Sequence, residues 1–204
     1  MKLLGPIVKL QVQRSSLKVA APVGKRYDTG PLVPVPALRL TTAGVVGIPA
    51  DGAAIVDVHN RVHPQTKQNQ RGINAVSVGF TSHYQAMRDR FGERLADGIA
   101  GENLLVQVRD RERIDADALA QGLAIETGDG ARVYLHSISV AEPCLEFTRF
   151  ALGYTETDRT DPPVTEGLRF LRAGTRGFYA SFAGPDTVLR AGDRLFCLEP
   201  GDQP

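Results

Sequence analysis

Three segments of the chain carry residue types and spacings able to do chemistry. The first is Ala141-Glu142-Pro143-Cys144. Pro143 fixes φ and lacks an N–H, so the chain leaves regular strand pairing beside a thiol. A cysteine on such a loop can reach a cleft, where its thiolate is a soft ligand for a transition metal or a nucleophile toward sulfur. A buried, inert thiol is the competing reading, since free cysteine is among the most buried residue types. Cys197, within Leu195-Phe196-Cys197-Leu198, reads as a core-strand thiol.

The second segment is Gly101-Glu102-Asn103-Leu104. It is either an ordinary turn leading into a strand or a loop whose Asn103 side chain and backbone amides face an anion. The third runs from His59 to Gly72 and holds His59, His63, Arg61, Lys67 and Arg71 against no acid. It is either a solvated basic loop or a local positive field for a phosphate, a pterin phosphate or a carboxylate, which guanidinium groups bind in bidentate fashion. His59 and His63 are four residues apart, but Pro64 argues against the helix that a two-histidine zinc site would need. Walker A, Gly-x-Gly-x-x-Gly, Cys-x-x-Cys and Gly-x-Ser-x-Gly patterns are absent.

The elements that must position these loops are short. Glycine and proline, 21 and 13 of 204 residues, are spread along the chain, which favours many brief strands joined by turns. Strands are predicted at 7–13, with Leu10 and Val12 on one face, and at 45–48, 54–58, 75–78, 123–126, 131–138, 178–183 and 194–198. Thr127-Gly128-Asp129-Gly130 reads as a hairpin turn. Pro31, Pro34 and Pro36 mark an extended, helix-free stretch. One helix is clear: Ser82 can cap it, and Tyr84, Met87, Phe91 and Leu95 form an apolar stripe along 83–95. Shorter helical windows lie at 116–121, 145–153 and 164–173.

Composition bounds the function classes. Apolar residues make up 42%, charged residues 23%, and the net charge is +1. A disordered chain would be less apolar, and a general nucleic-acid binder would be markedly basic. Two cysteines make no disulfide scaffold. No apolar run is long enough to span a bilayer, and Gly5 and Pro6 interrupt what would be the apolar region of a signal peptide. The expectation is one cytoplasmic domain over residues 1–204, with neither nucleic acid nor membrane as partner.

Taken in order, several of these segments resemble the MOSC family, named for the C-terminal domain of molybdenum cofactor sulfurase. The resemblance is carried by Arg71-Gly72-Ile73-Asn74-Ala75-Val76 followed by Ser82-His83-Tyr84, by Phe91-Gly92 and Gly101-Glu102-Asn103-Leu104, and by Glu142-Pro143-Cys144. Gly174-Thr175-Arg176-Gly177-Phe178-Tyr179 and Ala191-Gly192-Asp193-Arg194-Leu195 complete it, so that it spans about residues 45–198. It implies a mostly β fold, a MOSC-type β-barrel with a few short peripheral helices. It further implies a cleft in which Cys144 carries sulfur as a persulfide or ligates molybdenum of the pterin cofactor. Asn103, Arg176, Arg71 and Lys67 become candidate contacts to that cofactor.

The chain departs from the family in having Arg71-Gly72-Ile73-Asn74 where a His-Gly-Gly-type stretch is common. The pyridoxal-phosphate domain of full sulfurases does not fit within these 204 residues. The resemblance therefore implies an outside partner. That partner would be a sulfur donor of the cysteine desulfurase kind, or a molybdoenzyme or electron-donor protein. The readings left open are a sulfur or cofactor carrier, a molybdenum-dependent reductase of N-hydroxylated substrates, and a non-catalytic anion-binding module.

Overall fold

The computed structural model describes residues 1–67, 72–109, 111–155 and 160–202. In chain order the strands before the first helix are β1 (Lys2–Gln13), β2 (Lys18–Ala20), β3 (Lys25–Tyr27), β4 (Leu32–Pro34), β5 (Ala37–Thr41), β6 (Gly44–Ile48), β7 (Ile55–Val56) and β8 (Val76–Phe80). Helix α1 (Thr81–Phe91) leads to β9 (Leu104–Val106), β10 (Leu123–Glu126) and β11 (Arg132–Val140). Helices α2 (Leu145–Leu152) and α3 (Pro162–Arg172) precede β12 (Phe178–Phe182), β13 (Thr187–Arg190) and β14 (Arg194–Cys197).

Seven strands close a barrel in the order β14-β10-β11-β12-β8-β9-β1, with β1 returning to β14. Closure leaves those strands no free edge. The pairings are antiparallel except β8 with β9, where Val78 faces Leu104 in parallel register and α1 makes the crossover. A second sheet, β13-β5-β6-β7, and the β2–β3 hairpin lie outside the barrel, and β4 adds to the far end of β1. The fold is thus the mostly β barrel with short peripheral helices that the sequence implied.

Two apolar clusters hold it together. One fills the barrel, with Ile7, Leu10, Val12, Val78, Phe80, Leu104, Leu123, Leu135, Phe178 and Leu195 among its members. The other seats the helices and the β2–β3 hairpin against the outer wall through Tyr27, Tyr84, Met87, Phe91, Leu105, Phe147 and Leu171. No helix among the described residues is long and apolar enough to cross a membrane.

Several sequence expectations need correction. Ser82 lies inside α1, not at its cap. The cap is Phe80, with no side-chain bond, and α1 ends at Phe91 because Gly92 turns the chain at φ 98°. Leu95 continues the apolar stripe from beyond the helix, fully buried in the same cluster. Residues 116–121 form turns rather than a helix. Asp161 caps α3 by accepting from the Val164 N–H, and the helix begins at Pro162, two residues before the predicted start. Strands β2, β3, β5 and β13 went unforeseen.

Candidate functional site

A cavity of about 230 Å³ opens where several loops meet at one end of the barrel, and Cys144 and Arg176 both line it. Gln13 reaches it from the end of β1, Lys18 from β2, Tyr27 from β3, His59, Lys67 and Asn74 from the segment before β8, Glu142 and Cys144 from the segment after β11, and Arg176 and Tyr179 from the start of β12. Functional groups on loops around a rigid scaffold are the usual way to assemble a site. The cavity shares Ser16, Lys18 and Lys67 with an adjoining open groove of about 660 Å³ that also carries Lys25.

Cys144 is half-buried and stands at the N-terminus of α2 as its cap residue, in extended backbone conformation. Its carbonyl accepts from the Thr148 N–H and hydroxyl, both at 3.0 Å, and its side chain lines the cavity while also hydrogen-bonding the Glu146 carboxylate. The partial positive charge of a helix N-terminus favours an anion at this position. Pro143 lies past the end of β11, and the following segment is pinned to the start of β12 by Ala141 N–H donating to the Gly177 carbonyl at 3.0 Å.

Arg176 is held from three sides. Its Nη1 donates to the Glu142 carbonyl and its Nη2 to the Ala100 carbonyl, both at 3.3 Å. The guanidinium lies 5.5 Å from the centroid of Phe147, a cation–π distance. Burial disfavours its charge, but the negative charge that the Tyr179, Tyr27 and Cys144 side chains carry when ionised, together with a Tyr179 hydrogen bond, outweighs that and raises its pKa. The Tyr27 phenol, pushed above its ordinary pKa by burial, donates to the Ile99 carbonyl at 2.9 Å.

Beneath the cavity lies a buried polar network centred on Asp57. Its Oδ2 accepts from the Gln13 N–H at 2.7 Å and from Asn103 Nδ2 at 2.9 Å; its Oδ1 accepts from the His59 N–H at 2.8 Å and faces His59 Nδ1 at 3.1 Å. Asn103 also donates to the Gln11 carbonyl and accepts from the Ser77 N–H and hydroxyl. Asn103 therefore ties β1, β8 and the His59 loop together and is not among the residues lining the cavity. The neighbouring Gly101 and Glu102 do line a small recess that shares Gln13, Arg176 and Tyr179 with it. Gly101 is needed there: at its φ of 94° a Cβ would sit 2.7 Å from Leu17 and 2.8 Å from Gln13 Nε2.

The structure thus brings together Cys144, Arg176 and Lys67 from the sequence candidates. Lys67 is anchored by its N–H donating to the Val58 carbonyl at 2.7 Å and by Asn74 Nδ2 donating to its carbonyl at 2.5 Å. Arg71 lies outside the described residues. Arg61 is exposed and reaches the Thr42 carbonyl, away from the cavity. His59 and His63 diverge: His59 turns inward to Asp57, while His63 Nε2 meets the Arg14 carbonyl. Sequence reasoning missed Asp57, Gln13, Lys18, Tyr27 and Tyr179, because nothing local separates them from ordinary strand and turn residues.

No family model matches the chain, and no curated protein matches it either. Among solved structures it is similar to YuaD from Bacillus subtilis, at 13% identity and a TM-score of 0.60, with 96% of each chain covered. It is also similar to YiiM from Geobacillus stearothermophilus, at 16% identity and a TM-score of 0.52, covering 96% of this chain and 76% of that one. At such identities the likeness is one of fold.

Proposed function

We propose that the chain is a MOSC-like protein whose Cys144 cavity takes an anionic, sulfur- or molybdenum-bearing group. In that role it either holds the molybdenum–pterin cofactor or carries sulfur as a Cys144 persulfide. The observation that carries the reading is the meeting of the Cys144 thiol and the Arg176 guanidinium in one cavity bordered by Lys18 and Lys67. The fold shared with YuaD and YiiM supports it from a separate direction.

The residues present fit such a cofactor. A thiolate is the soft donor that molybdenum favours, and cationic side chains suit its phosphate. The Arg176 Nε is buried with no hydrogen-bond partner among the described residues, so the cavity wall retains an unused donor. Cys144 would ligate the metal, Arg176 and Lys67 would hold the anionic portion, and Lys18 would contribute a weaker charge because Glu146 lies 3.4 Å from it. When bound, the group would supply two-electron redox chemistry. Tyr27 and Tyr179, which line the cavity, would keep water from the thiol side.

In the sulfur-carrying form the step balances without a redox partner. The Cys144 thiolate attacks the outer sulfur of a donor persulfide. An S–S bond forms at Cys144, the donor's S–S bond breaks, and the donor leaves as its thiolate.

The test is to expose reduced protein to inorganic polysulfide and map the modified peptide by mass spectrometry. The expected result is one added sulfur on Cys144 and none on Cys197. Equal loading of both thiols, or of neither, would remove the sulfur-carrying reading.

A further inference from the structure

Four buried side-chain polar atoms lack a hydrogen-bond partner among the described residues: Ser82 Oγ, His83 Nδ1, Glu102 Oε1 and Arg176 Nε. The last two belong to residues that line the same recess, of about 10 Å³, next to the Cys144 cavity. In both, the other polar atoms are engaged. Glu102 Oε2 accepts from the Tyr84 hydroxyl at 2.8 Å, and the two terminal nitrogens of Arg176 reach the Glu142 and Ala100 carbonyls. A buried donor and a buried carboxyl oxygen left unpaired are each costly, so their sharing one recess calls for a common partner.

The recess has room for one oxygen atom or one water. It continues into the larger cavity through Gln13, Arg176 and Tyr179, which line both. Space for the Glu102 carboxyl is secured by Gly79, where a Cβ would stand 2.4 Å from Glu102 Oε1.

We propose that this recess is a one-oxygen subsite of the Cys144 cavity, in which Glu102 Oε1 and Arg176 Nε together hold a water oxygen in the free protein and one oxygen of a bound oxyanion. The oxyanion part rests on the anion-binding reading of the same cavity.

The chemistry of Glu102 suits that occupant. Burial raises its carboxyl above the ordinary value, against the opposing effects of hydrogen bonds from the Tyr84 hydroxyl and its own backbone N–H and of the Arg176 and Lys9 charges. Because Oε2 already accepts from Tyr84, a proton on Glu102 belongs on Oε1. The recess then presents an O–H and a charged N–H to a single point, which is the demand of an acceptor oxygen. The groups facing Glu102 are Tyr84 from α1, Lys9 from β1, Tyr27 from β3 and Arg176 from ahead of β12. A phosphate, sulfate or related tetrahedral oxyanion bound beside Cys144 offers such an oxygen.

Two measurements test this. The first titrates inorganic sulfate against the rate of Cys144 alkylation by iodoacetamide in wild type, Glu102→Gln and Glu102→Ala. Glutamine keeps an acceptor for Tyr84 and turns an N–H into the recess, so its sulfate affinity should stay within about threefold of wild type, while alanine should weaken it about tenfold. As pH rises through the Glu102 titration, wild-type affinity should fall and Glu102→Gln affinity should not. If Gln weakens sulfate as much as Ala does, or tightens it tenfold, the subsite as described is overturned. The second is a crystal structure grown without oxyanions. One oxygen within hydrogen-bond reach of both Oε1 and Nε is expected, and a collapsed or side-chain-filled recess overturns the subsite whatever the anion data show. Ordered oxygen in the crystal with no sulfate protection in wild type would instead overturn the anion-binding reading and the oxyanion role that rests on it.

Discussion

Asn103 donates from Nδ2 to Asp57 Oδ2 at 2.9 Å, and both side chains are almost wholly buried. The pair joins the segment entering β9 to the turn that carries His59 toward the cavity. Removing the Asn103 side chain takes from the buried Ser77 N–H and Gln11 carbonyl their Asn103 partner, and it takes from Asp57 Oδ2 one of two donors, the Gln13 N–H remaining. Asn103→Ala is therefore expected to lower the unfolding free energy by on the order of 3 kcal/mol, read as a lower urea midpoint. A loss below about 1 kcal/mol, the worth of one ordinary hydrogen bond, would show that the network does not hold the loop.

The two thiols should separate cleanly. Cys197 is 6% exposed within the barrel core, its Sγ 3.6 Å from the Lys2 carbonyl. Cys144 borders the cavity. Alkylation of native protein followed by peptide mapping should label Cys144 first and Cys197 only on unfolding. Cys144→Ser should cost no more than about 1 kcal/mol, because the half-buried side chain only borders the second apolar cluster. Cys197→Ser should cost about 1 kcal/mol, because a hydroxyl in an apolar setting keeps the Lys2 carbonyl as an acceptor.

Much of this arrangement was legible in the residues, and the rest was not for identifiable reasons. The spacing of Tyr84, Met87 and Phe91 announces α1, because one face of a helix must be apolar to pack. Its end at Gly92 was missed because Leu95 extends the same stripe by tertiary packing after the helix has stopped. Pro143 beside Cys144 marked a loop thiol correctly. Asp57 was invisible: one acid inside the apolar run 54–58 reads as an ordinary strand residue, and only the fold surrounds it with Gln13, His59 and Asn103. Strand β13 has one fully buried residue, Leu189, too few to show an alternation. Asn103 drew attention as an anion contact because a polar residue in a glycine turn looks available, and as a cofactor contact through the family resemblance. Its availability is consumed by Ser77, Gln11 and Asp57.

Arg176 should not tolerate replacement by lysine. Its two terminal nitrogens reach carbonyls on different segments while its plane lies against Phe147, and an ammonium can reproduce neither the fork nor the stacking. Arg176→Lys is expected to weaken sulfate binding about tenfold despite conserving charge, the worth of one charge-assisted hydrogen bond. Calorimetric titration checks it, and affinity equal to wild type would reduce Arg176 to a point charge.

His83 sets a pH dependence. Burial, aided by the Arg113 charge, lowers its pKa to about 4, against the Ile114 and Gly174 carbonyls that favour the cation. In the unfolded chain the ring titrates near the ordinary value of about 6.5. Between those values the unfolded chain takes up a proton that the folded one refuses, so stability falls as pH drops through this window. The loss levels off below the folded pKa, at about 3 kcal/mol. Denaturation across a pH series should show that slope in wild type and lose it in His83→Gln. An unchanged slope in the variant would assign it to other groups.

The central claim, that Cys144 and Arg176 together present one cavity to an anionic sulfur- or molybdenum-bearing group, is tested most directly by mass spectrometry of freshly purified protein under native and denaturing conditions. Wild type should carry a pterin adduct that leaves on denaturation or a sulfur atom that remains on Cys144, and Cys144→Ser should carry neither. A bare wild-type mass under both conditions, or an adduct that survives in Cys144→Ser, would contradict the account.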